Sequence, residues 1–420
     1  MDVLADINAR GLIQDHTDLD ALAARVQRGP LSLYYGCDPS ADSLHIGNLI
    51  GLLVLRRFQL GGHRPIALAG GATGMIGDPG GRSEERNLLD ADTLAGNVAS
   101  IKAQITQVLG PEGEWTLVDN LDWTRDVSLL AFLRDVGKYM TVNQMLAKES
   151  VRARVESTQG ISFTEFSYML LQANDYWWLH EHFDCELQIG GSDQWGNITA
   201  GVELIRRRSG VAVHALTWPL LLQADGSKYG KTASGDTVWL GAHRTSPYKF
   251  FQFWMNVPDH DVEKFLLQLT LLPVEEARAV AAQHAAAPER RDGQRTLARE
   301  VTSLVHGPPA AAAAESASAV LFGSALEGVD AATLDTVAGE VPTTSIGAEE
   351  IAAGLEIADV LVRTGLASSR SDARRLLEQG GVYVNNLRIE PGHSIGPQEL
   401  LHGRFVLLRR GRQYHLLVSS

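Results

Sequence analysis

The chain has 420 residues, of which 45% are hydrophobic and 21% charged, so it is long enough for a sizeable core and for two or three domains. Its net charge of −13 argues against a generally basic nucleic-acid-binding surface, although a local basic patch is compatible with that total. The chain has only two cysteines, which argues against a disulfide framework and a cysteine-rich zinc site. No uninterrupted apolar run approaches about 18 residues, which argues against a membrane span. A soluble, cytoplasmic protein is therefore predicted.

Between residues 31 and 222, short apolar runs alternate with longer helical patterns. Strands are predicted at Leu31–Tyr35, Pro65–Gly71, Thr116–Asp119, Cys185–Ile189 and Ala215–Leu222. Helices are predicted at Asn48–Leu60, Val127–Val136, Thr164–Phe183 and Gln194–Arg208. Strands that are separated by crossover helices favour an α/β fold with a mainly parallel sheet covered on both faces.

The rest of the chain changes character twice. Tyr248–Phe322 is rich in alanine and periodic in leucine, which predicts a helical domain. Residues 324–351 are rich in small and turn-forming types and are interpreted as a linker. From Ala352 onward nine arginines face six acidic residues, a net charge of +3, so the remaining chain carries −16. This asymmetry predicts a small terminal module with a partner of its own.

The stretch LYYGCDPSADSLHIGNLIGLL (33–53) has the pattern of a strand, a turn and an apolar helix. A parallel sheet binds ligands outside the carboxyl ends of its strands, and a helix N-terminus there offers N–H groups to phosphate. Gly47 would let the backbone approach a ligand closely, while His45 and Asn48 add side-chain donors three residues apart. A lone histidine at such a place is otherwise a capping or core residue.

Five blocks of the sequence carry a family resemblance. HIGN resembles the HIGH signature of class I aminoacyl-tRNA synthetases, and YxGxDPSADSLHIG is similar to its tyrosyl version. Three further blocks agree: GGATGMIGDPGGRSEER (70–86), SFTEFSYMLLQANDY (162–176) and QIGGSDQWGNITAG (188–201). KYGKT (228–232) resembles the second signature, the mobile lysine loop. The resemblance implies a Rossmann-like catalytic domain, an anticodon-side helical domain and a small α+β RNA-binding domain.

The resemblance implies that L-tyrosine is activated by ATP to tyrosyl-adenylate, with release of pyrophosphate, and then transferred to the 3′-terminal adenosine of tRNA(Tyr). Positioning and charge stabilisation dominate such chemistry. The residues that it assigns to catalysis are His45, Asn48, Lys228, Lys231, Thr232, Arg82 and Arg86. An isolated KxxK would otherwise be a solvated turn. Mg²⁺ is expected to arrive with ATP, because the sequence shows no dedicated carboxylate cage or other protein-held metal.

A tyrosine pocket and an ATP site follow from the same resemblance. Tyr168, Gln172 and Asp175 are spaced to share one face of a helix. The predicted tyrosine-binding residues are Tyr34, Asp78, Tyr168, Gln172, Asp175, Gln188 and Gln194, with Tyr34 and Asp175 on the phenolic hydroxyl. The predicted ATP-binding residues are Gly36, Asp38, Ser40, His45, Gly47, Asn48, Gly191, Asp193 and Lys231. A buried carboxylate without its hydroxyl partner is costly, so phenylalanine would be rejected.

Two positions depart from the family pattern. Asn48 replaces the second histidine of the signature, and its amide can donate from a similar place. Tyr35 stands where the family usually carries a small residue, and its ring either crowds the ribose or faces away.

The tRNA-binding assignments concern two clusters of arginines. The terminal module resembles the RNA-binding domain of a small-subunit ribosomal protein, and Arg370, Arg374 and Arg375 are its predicted phosphate contacts. The alternative for these arginines is a solubilising role. Arg206, Arg207 and Arg208 are candidates for the acceptor stem, although they also complement a helix dipole. The resemblance further implies a homodimer, for which KYMTVNQMLAKE (138–149) has suitable apolar positions, as a buried helix of a monomer also would.

The predicted domains are a catalytic domain at 1–222 with a dimer insertion at about 119–160, the lysine loop and its connection at 223–247, the helical domain at 248–323, the linker at 324–351 and the RNA-binding domain at 352–420. Three other functions fit parts of the sequence pattern. The first is the same chemistry on tryptophan, which the Tyr34 and Asp175 pair disfavours. The others are a nucleotidyltransferase, which does not need KYGKT, and a non-catalytic RNA-binding paralogue, which should have lost the signature residues.

Overall fold

The computed structural model describes residues 2–79, 90–111, 113–156, 160–222, 229–232 and 235–420. The chain divides into two compact units. Unit 1 comprises residues 1–246 and 253–306, and unit 2 comprises residues 247–252 and 307–420. Within the described residues, no helix is both long and apolar enough to cross a membrane.

Unit 1 is built on a parallel sheet whose strands are β1 (Ser32–Cys37), β2 (Arg64–Ala69), β3 (Thr116–Asp119), β4 (Cys185–Gly191) and β5 (His214–Trp218). Their order across the sheet is β3-β2-β1-β4-β5. The chain therefore runs outward from β1 in one direction to β3, and then returns to build β4 and β5 on the other side. The crevice between the carboxyl ends of β1 and β4 is the switch point at which such sheets bind ligands.

The helices of unit 1, with the start of a helix shared with unit 2, are α1 (Val3–Ala9), α2 (Leu19–Gln27), α3 (Ile46–Leu60), α4 (Ala91–Leu109), α5 (Leu121–Thr124), α6 (Leu129–Asp135), α7 (Val142–Leu146), α8 (Glu149–Val155), α9 (Phe163–Phe183), α10 (Trp195–Ser209), α11 (Pro247–Met255), α12 (Val262–Leu269), α13 (Val274–Ala286) and α14 (Asp292–His306). The first six residues of α11 belong to unit 2. The parallel α/β sheet predicted from the alternating pattern, and the Rossmann-like domain that the resemblance implied, are confirmed.

Local sequence explains where the two helices beside the site begin and end. Helix α3 is apolar on almost every face, as expected for a crossover helix covered by its neighbours, and its residues Leu49–Leu55 are all buried. Helix α9 begins after Ser162, whose side chain accepts a hydrogen bond from the backbone N–H of Glu165. It ends at Asp184, which adopts the left-handed conformation with φ of 50°. Both helices thus place their functional residues at fixed points beside β1 and β4.

The predicted elements of unit 1 lie close to the observed ones, with shifts of a few residues at their ends. Strand β3 has the predicted bounds, whereas the strand predicted to reach Leu222 ends at Trp218. The long crossover helix α4 was not predicted. It begins after Asp90, which caps the backbone N–H of Thr93. Helices α5 to α8 lie between β3 and α9, in the segment for which an insertion is predicted.

Unit 2 has a sheet and helices of its own. Its remaining helices are α15 (Pro308–Leu321), α16 (Ala331–Glu340), α17 (Ala348–Ala353), α18 (Ile357–Arg363) and α19 (Arg370–Glu378). Its strands are β6 (Thr343–Ile346), β7 (Leu355–Glu356), β8 (Val382–Val384), β9 (Leu387–Arg388), β10 (Ser394–Ile395), β11 (Phe405–Arg410) and β12 (Gln413–Ser419). Five of these strands form one sheet in the order β6-β12-β11-β8-β9. This is the predicted small α+β domain.

Two predicted boundaries in this part of the chain are wrong. The segment interpreted as a linker contains α16, whose Leu334 and Val337 are fully buried, and β6, which pairs in parallel with β12. The predicted helical domain also divides, because α15 packs with the terminal sheet while α12 to α14 belong to unit 1. Small residues suggested a flexible segment, but spaced leucine and valine side chains were enough to fix α16 on the sheet.

Candidate active site

A cavity of about 540 Å³ opens at the carboxyl ends of β1 and β4 and brings together most of the predicted site residues. The predicted residues that line it are Tyr34, Gly36, Asp38, Ser40, His45, Gly47, Asn48, Asp78, Tyr168, Gln172, Asp175, Gln188, Gly191, Asp193, Gln194 and Lys231. They come from β1, α3, α9 and β4, and from the segments that follow β1, β2, β4 and β5. Residues that are more than 180 positions apart in the sequence therefore meet at the switch point of the sheet.

At the buried end of the cavity, the carboxylate of Asp175 is held by two side chains. Nδ2 of Asn120 donates to Oδ2 of Asp175 at 2.9 Å, and Nε1 of Trp123 donates to Oδ1 at 2.9 Å. Burial raises the pKa of Asp175 to about 7, even though both hydrogen bonds favour the ionised form. The carboxylate is thus fixed in orientation and ionises near neutral pH.

Asn120 is itself locked by neighbours. It is fully buried, its Nδ2 also donates to Oγ1 of Thr73 at 3.0 Å, and its Oδ1 accepts the backbone N–H of Ala72 at 2.7 Å. Trp123 stacks face to face on Trp178, with ring centroids 4.1 Å apart. Neither donor can turn away from Asp175 without breaking these contacts, so the pocket is preorganised before any ligand enters.

Tyr34 reaches the same end of the cavity from β1. Its side chain is 2% exposed, and its hydroxyl is buried without a hydrogen-bond partner among the described residues. Burial, followed by the nearby Asp175 charge, raises the pKa of Tyr34 well above its ordinary value, so the hydroxyl keeps its proton. A buried hydroxyl without a partner costs free energy, which a ligand with a suitable polar group would recover.

Asp38, a predicted ATP-binding residue, lines the cavity and also contacts two other side chains of the site. Its Oδ2 accepts the hydroxyl of Tyr168 at 3.0 Å, and its Oδ1 accepts the hydroxyl of Thr73 at 2.8 Å. Asp38 therefore connects the turn after β1 to helix α9 and to the same Thr73 that contacts Asn120. A glycine at position 70 makes room for this contact, since a Cβ there would lie 2.2 Å from Oδ1 of Asp38.

A second group of polar side chains, around Asp78, also lines the cavity. Oδ2 of Asp78 accepts Nε2 of Gln194 at 2.6 Å, and Oδ1 accepts Nδ2 of Asn197 at 3.4 Å. The side-chain oxygens of Gln172 and Gln188 are buried without hydrogen-bond partners among the described residues. One carboxylate and two unsatisfied carbonyl oxygens in a single cavity form an acceptor-rich wall, which suits an ammonium group.

Another part of the cavity, where several of the predicted ATP-binding residues lie, is formed by the first turn of α3. The backbone N–H of His45 donates to Oδ1 of Asn48 at 3.2 Å, so Asn48 caps the turn. The amide Nδ2 of Asn48 lies 3.9 Å from Sγ of Cys37. A Cβ at Gly47 would lie 2.8 Å from the ring of His45, so glycine leaves room for the histidine in this position.

Of the lysine loop, the structure describes residues 229–232 and 235–247. Lys231 lines the cavity, is exposed and pairs with Thr237 in an antiparallel bridge. Thr232 closes the turn, since its N–H donates to the carbonyl of Asp236 at 2.8 Å. Tyr229 packs on the ring of Phe265, with centroids 4.7 Å apart, and so anchors this end of the loop. Lys228, Arg82 and Arg86 lie outside the described residues.

The predicted tRNA-binding arginines differ in what they contact. Arg206 and Arg207 form ion pairs with Glu203, at 2.8 and 2.5 Å, and the guanidinium of Arg208 lies 3.5 Å from the ring centroid of Trp177. These three side chains are therefore engaged within unit 1. In unit 2, Arg370 forms an ion pair with Asp359, and Arg375 one with Asp372 at 2.7 Å. Arg374 is exposed, and no ion pair is found for it within the described part of the chain.

Four residues that contact the predicted ones were missed in the sequence: Thr73, Asn120, Trp123 and Asn197. Asn120 directly follows strand β3, and a polar residue at the carboxyl end of a parallel strand is a signal that could have found it. Within the described residues, no group of three or more histidine, cysteine, aspartate or glutamate side chains is placed to hold a metal ion.

Comparison with known proteins decides the family. Residues 26–323 match the family model described as tRNA synthetases class I (W and Y), and residues 333–418 match that of the tyrosine–tRNA ligase SYY-like C-terminal domain. The chain is 52% identical to a tyrosine–tRNA ligase of Opitutus terrae over the full length of both chains. It is 50% identical to one of Roseiflexus castenholzii, with 99% of each chain covered.

This chain belongs to the tyrosine–tRNA ligases, a family of class I aminoacyl-tRNA synthetases.

A solved structure agrees with the assignment to the tyrosine–tRNA ligases. A C-terminally truncated mitochondrial tyrosyl-tRNA synthetase of Aspergillus nidulans superimposes with a TM-score of 0.67 at 31% identity, and covers 75% of this chain and 92% of its own. Tyrosine–tRNA ligase family membership, predicted from five sequence blocks, is thus confirmed over both units.

Proposed function

We propose that the chain activates L-tyrosine with ATP, forms tyrosyl-adenylate and pyrophosphate, and transfers the tyrosyl group to the 3′-terminal adenosine of tRNA(Tyr). The observation that carries this proposal is the buried pair of Tyr34 and Asp175. One presents a hydroxyl without a partner, and the other a carboxylate held by two donors. A phenolic hydroxyl between them would donate to Asp175 and accept from Tyr34.

The amino acid binds by both ends. The acceptor-rich wall, consisting of Asp78, Gln172 and Gln188 with Tyr168 and Gln194 beside it, receives the ammonium group, while Tyr34 and Asp175 receive the phenol. Phenylalanine would leave the buried hydroxyl of Tyr34 without a partner and would leave Asp175 with its two protein donors only. A site built to hydrogen-bond a substrate hydroxyl rejects the analogue that lacks it, a rule for which tyrosyl-tRNA synthetases are the established example.

Activation is an in-line displacement at the α-phosphorus. A carboxylate oxygen of tyrosine forms the new P–O bond, and the bond to the bridging oxygen of pyrophosphate breaks. No covalent intermediate with the protein is needed, so the chain contributes positioning and charge stabilisation. His45 and the N-terminus of α3 lie beside the phosphates, while Gly36, Ser40, Gly191 and Asp193 line the nucleoside part.

The leaving pyrophosphate is neutralised by cations. Lys231 lines the cavity, and its ammonium acts as a mobile point charge. Lys228, Thr232, Arg82 and Arg86 join it by their place in the signature blocks. ATP is bound as its magnesium complex, so that Mg²⁺ enters with the substrate and not as a resident metal of the protein.

Unit 2 binds tRNA. Helix α19 carries Arg374, which is exposed and without an ion pair among the described residues, beside Arg370 and Arg375, whose charges are partly neutralised. Arginine side chains on one helix face can follow a phosphate backbone. Arg206 to Arg208 contribute less than their charge suggests, because Glu203 and Trp177 already engage them.

The protein acts as a cytoplasmic homodimer. The insertion carries a set of apolar side chains that are 45–79% exposed, namely Leu129, Leu130, Leu133, Val142 and Val155, and Phe163 at the start of α9 is 74% exposed. Large apolar side chains concentrated on one segment of a chain mark an interaction surface. A second copy of the same insertion is the occupant that the family implies.

The experiment that tests this function is amino-acid-dependent exchange between ATP and labelled pyrophosphate, without tRNA. Tyrosine, phenylalanine and tryptophan are offered separately. Exchange with tyrosine alone supports the proposal. Exchange with tryptophan would replace the substrate and keep the chemistry, whereas absence of exchange with all three in folded protein would favour a non-catalytic RNA-binding role.

A further inference from the structure

Tyr35 occupies an unusual place at the nucleotide end of the cavity. It follows Tyr34 in β1, so its side chain points to the opposite face of the sheet, toward α3. The side chain is 8% exposed, and the residue nevertheless lines the cavity. The bulky ring therefore forms part of the wall of the binding site.

The ring lies directly on Gly51 of α3. A Cβ at Gly51 would lie 2.3 Å from Cζ and 2.4 Å from Cε1 of Tyr35, distances at which something must move. On its other side the ring meets Trp218 edge-on, with centroids 5.5 Å apart. The ring of Tyr35 is thus packed between the helix backbone at Gly51 and the indole of Trp218. Only glycine at position 51 leaves room for the ring.

The hydroxyl of Tyr35 lies near side chains at the turn between β1 and α3. Asn48 and Cys37 are the hydrogen-bonding side chains that face its hydroxyl. The same two side chains contact each other, since Nδ2 of Asn48 lies 3.9 Å from Sγ of Cys37, while Oδ1 of Asn48 caps the backbone of His45. Tyr35 therefore touches the signature turn through the one asparagine that replaces a histidine.

We propose that Tyr35 is a positioning residue for ATP, which holds the Asn48 side chain in place, and that Gly51 is its obligatory complement, so that the two positions act as a coupled pair. The inference rests on the proposed function. It accounts for both departures of this chain at once, because the tyrosine at 35 and the asparagine at 48 support each other across Gly51.

The test compares four variants in tyrosine-dependent ATP–pyrophosphate exchange: Tyr35→Phe, Tyr35→Ala, Gly51→Ala, and the double variant Tyr35→Ala/Gly51→Ala. Gly51→Ala should raise the KM for ATP by roughly tenfold or more and change the KM for tyrosine less than twofold, because the displaced ring releases Asn48 on the nucleotide side only. Tyr35→Phe keeps the ring and loses the hydroxyl, so it should raise the KM for ATP by a smaller factor.

The coupling gives the sharper readout. In the Tyr35→Ala background the Cβ at position 51 has room, so Gly51→Ala should there leave the KM for ATP unchanged within twofold. Thermal unfolding should show the same pattern. In the parent chain, Gly51→Ala should lower the Tm, because the new Cβ clashes with the ring of Tyr35. In the Tyr35→Ala background the same change should raise the Tm, because Gly-to-Ala in a helix interior is ordinarily stabilising.

Gly96→Ala is the matched control. Gly96 lies in α4, and a Cβ there would meet nothing within 4 Å, so the substitution should raise the Tm and leave both KM values unchanged. Additive effects of Tyr35→Ala and Gly51→Ala, or equal changes in the KM for ATP and for tyrosine, would overturn the inference. Absence of tyrosine-dependent exchange in the parent chain would instead overturn the proposed function, and the Tm pattern would still report on the pair.

Discussion

The indole Nε1 of Trp123 donates a hydrogen bond of 2.9 Å to Oδ1 of the buried Asp175. The two residues are 52 positions apart and belong to different elements, α5 and α9. Their contact fixes the orientation of a carboxylate that the proposed function assigns to the phenol of the substrate. The affinity for tyrosine should therefore depend on Trp123, although this residue is not part of the cavity lining.

Trp123→Phe removes the donor and keeps an aromatic ring for the stack on Trp178. A hydrogen bond to a charged group contributes about 1.5–3 kcal/mol, so the KM for tyrosine in the exchange reaction should rise by roughly 10- to 150-fold. The KM for ATP should stay within twofold of the parent value. An unchanged KM for tyrosine would show that Asn120 alone is enough to orient Asp175.

The pH dependence of tyrosine use should follow Asp175. Burial, and to a smaller extent the neighbouring charges of Asp38 and Asp119, raise the pKa of Asp175. Hydrogen bonds from Asn120 and Trp123 lower it, and the resulting pKa is about 7. The ionised carboxylate of Asp175 accepts a hydrogen bond from the phenolic O–H of tyrosine, whereas the protonated form carries a competing proton. For this reason kcat/KM for tyrosine should rise with pH through about 7. Asp175→Asn should remove this step and leave any step that belongs to ATP.

Stability should respond to pH in the opposite sense. The pKa of Asp175 is raised from 3.8 to about 7 in the folded chain, so the folded state holds this proton more tightly than the unfolded state. The contribution of Asp175 to the free energy of unfolding is then greatest below pH 4 and falls as the pH rises to about 7. Comparing the Tm of the parent and of Asp175→Asn across this range isolates the contribution; parallel curves would contradict it.

Tyr34→Phe should improve stability and impair discrimination. The hydroxyl of Tyr34 is buried without a partner among the described residues, so its removal should stabilise the ligand-free protein by about 1 kcal/mol. The same change removes one hydrogen bond to the phenol, so the preference for tyrosine over phenylalanine should fall by roughly 2- to 12-fold. Denaturant unfolding and exchange kinetics measure the two effects, and a lower stability of the variant would contradict the description of an unpaired hydroxyl.

The proposed dimer can be tested by charge on the insertion. Leu129 and Leu130 are 69% and 79% exposed, and Leu129→Glu/Leu130→Glu should shift the protein from dimer to monomer in sedimentation velocity. Leu60→Glu is the matched control, because Leu60 is 53% exposed at the end of α3, away from the insertion. Identical sedimentation of all three proteins would reject this surface as the interface.

The tRNA contacts of unit 2 should differ in strength. Arg374→Ala removes a charge that no described residue neutralises, so tRNA affinity should fall and the slope of log K against log salt should decrease by about 1. Arg370→Ala should have a smaller effect, since Asp359 already pairs with that guanidinium. Tyrosine-dependent exchange without tRNA should be unaffected by both variants. Equal losses of affinity would mean that the ion pair opens when tRNA binds.

The parts of the site that lie within one sequence block were predictable. A strand, a turn and a helix at 33–53 place His45 and Gly47 at the switch point, and helical spacing places Tyr168, Gln172 and Asp175 on one face. Asp38 is predicted from the same block, whereas its contacts to Tyr168 and Thr73 are not. Contacts between blocks depend on how the strands are ordered, which no single block contains.

The residues that sequence analysis did not identify hold other site residues in place, and they belong to no sequence motif. Asn120 and Trp123 lie in a segment that the sequence marked only as an insertion, and their roles appear when β3 is placed two strands away from β1. The segment at 324–351 was misinterpreted for a related reason. Its helix α16 is stabilised by the buried Leu334 and Val337 against a sheet that is formed mainly by residues further along the chain.

The most direct test of the central claim, that Tyr34 and Asp175 recognise a phenol, is the ratio of kcat/KM for tyrosine to that for phenylalanine in ATP–pyrophosphate exchange by the parent protein. Phenylalanine forfeits a hydrogen bond to the charged Asp175, about 1.5–3 kcal/mol, and one to the hydroxyl of Tyr34, about 0.5–1.5 kcal/mol, so the ratio should be at least about 30. A ratio near 1 in active protein would contradict the claim, because the two buried groups would then have no part in choosing the amino acid.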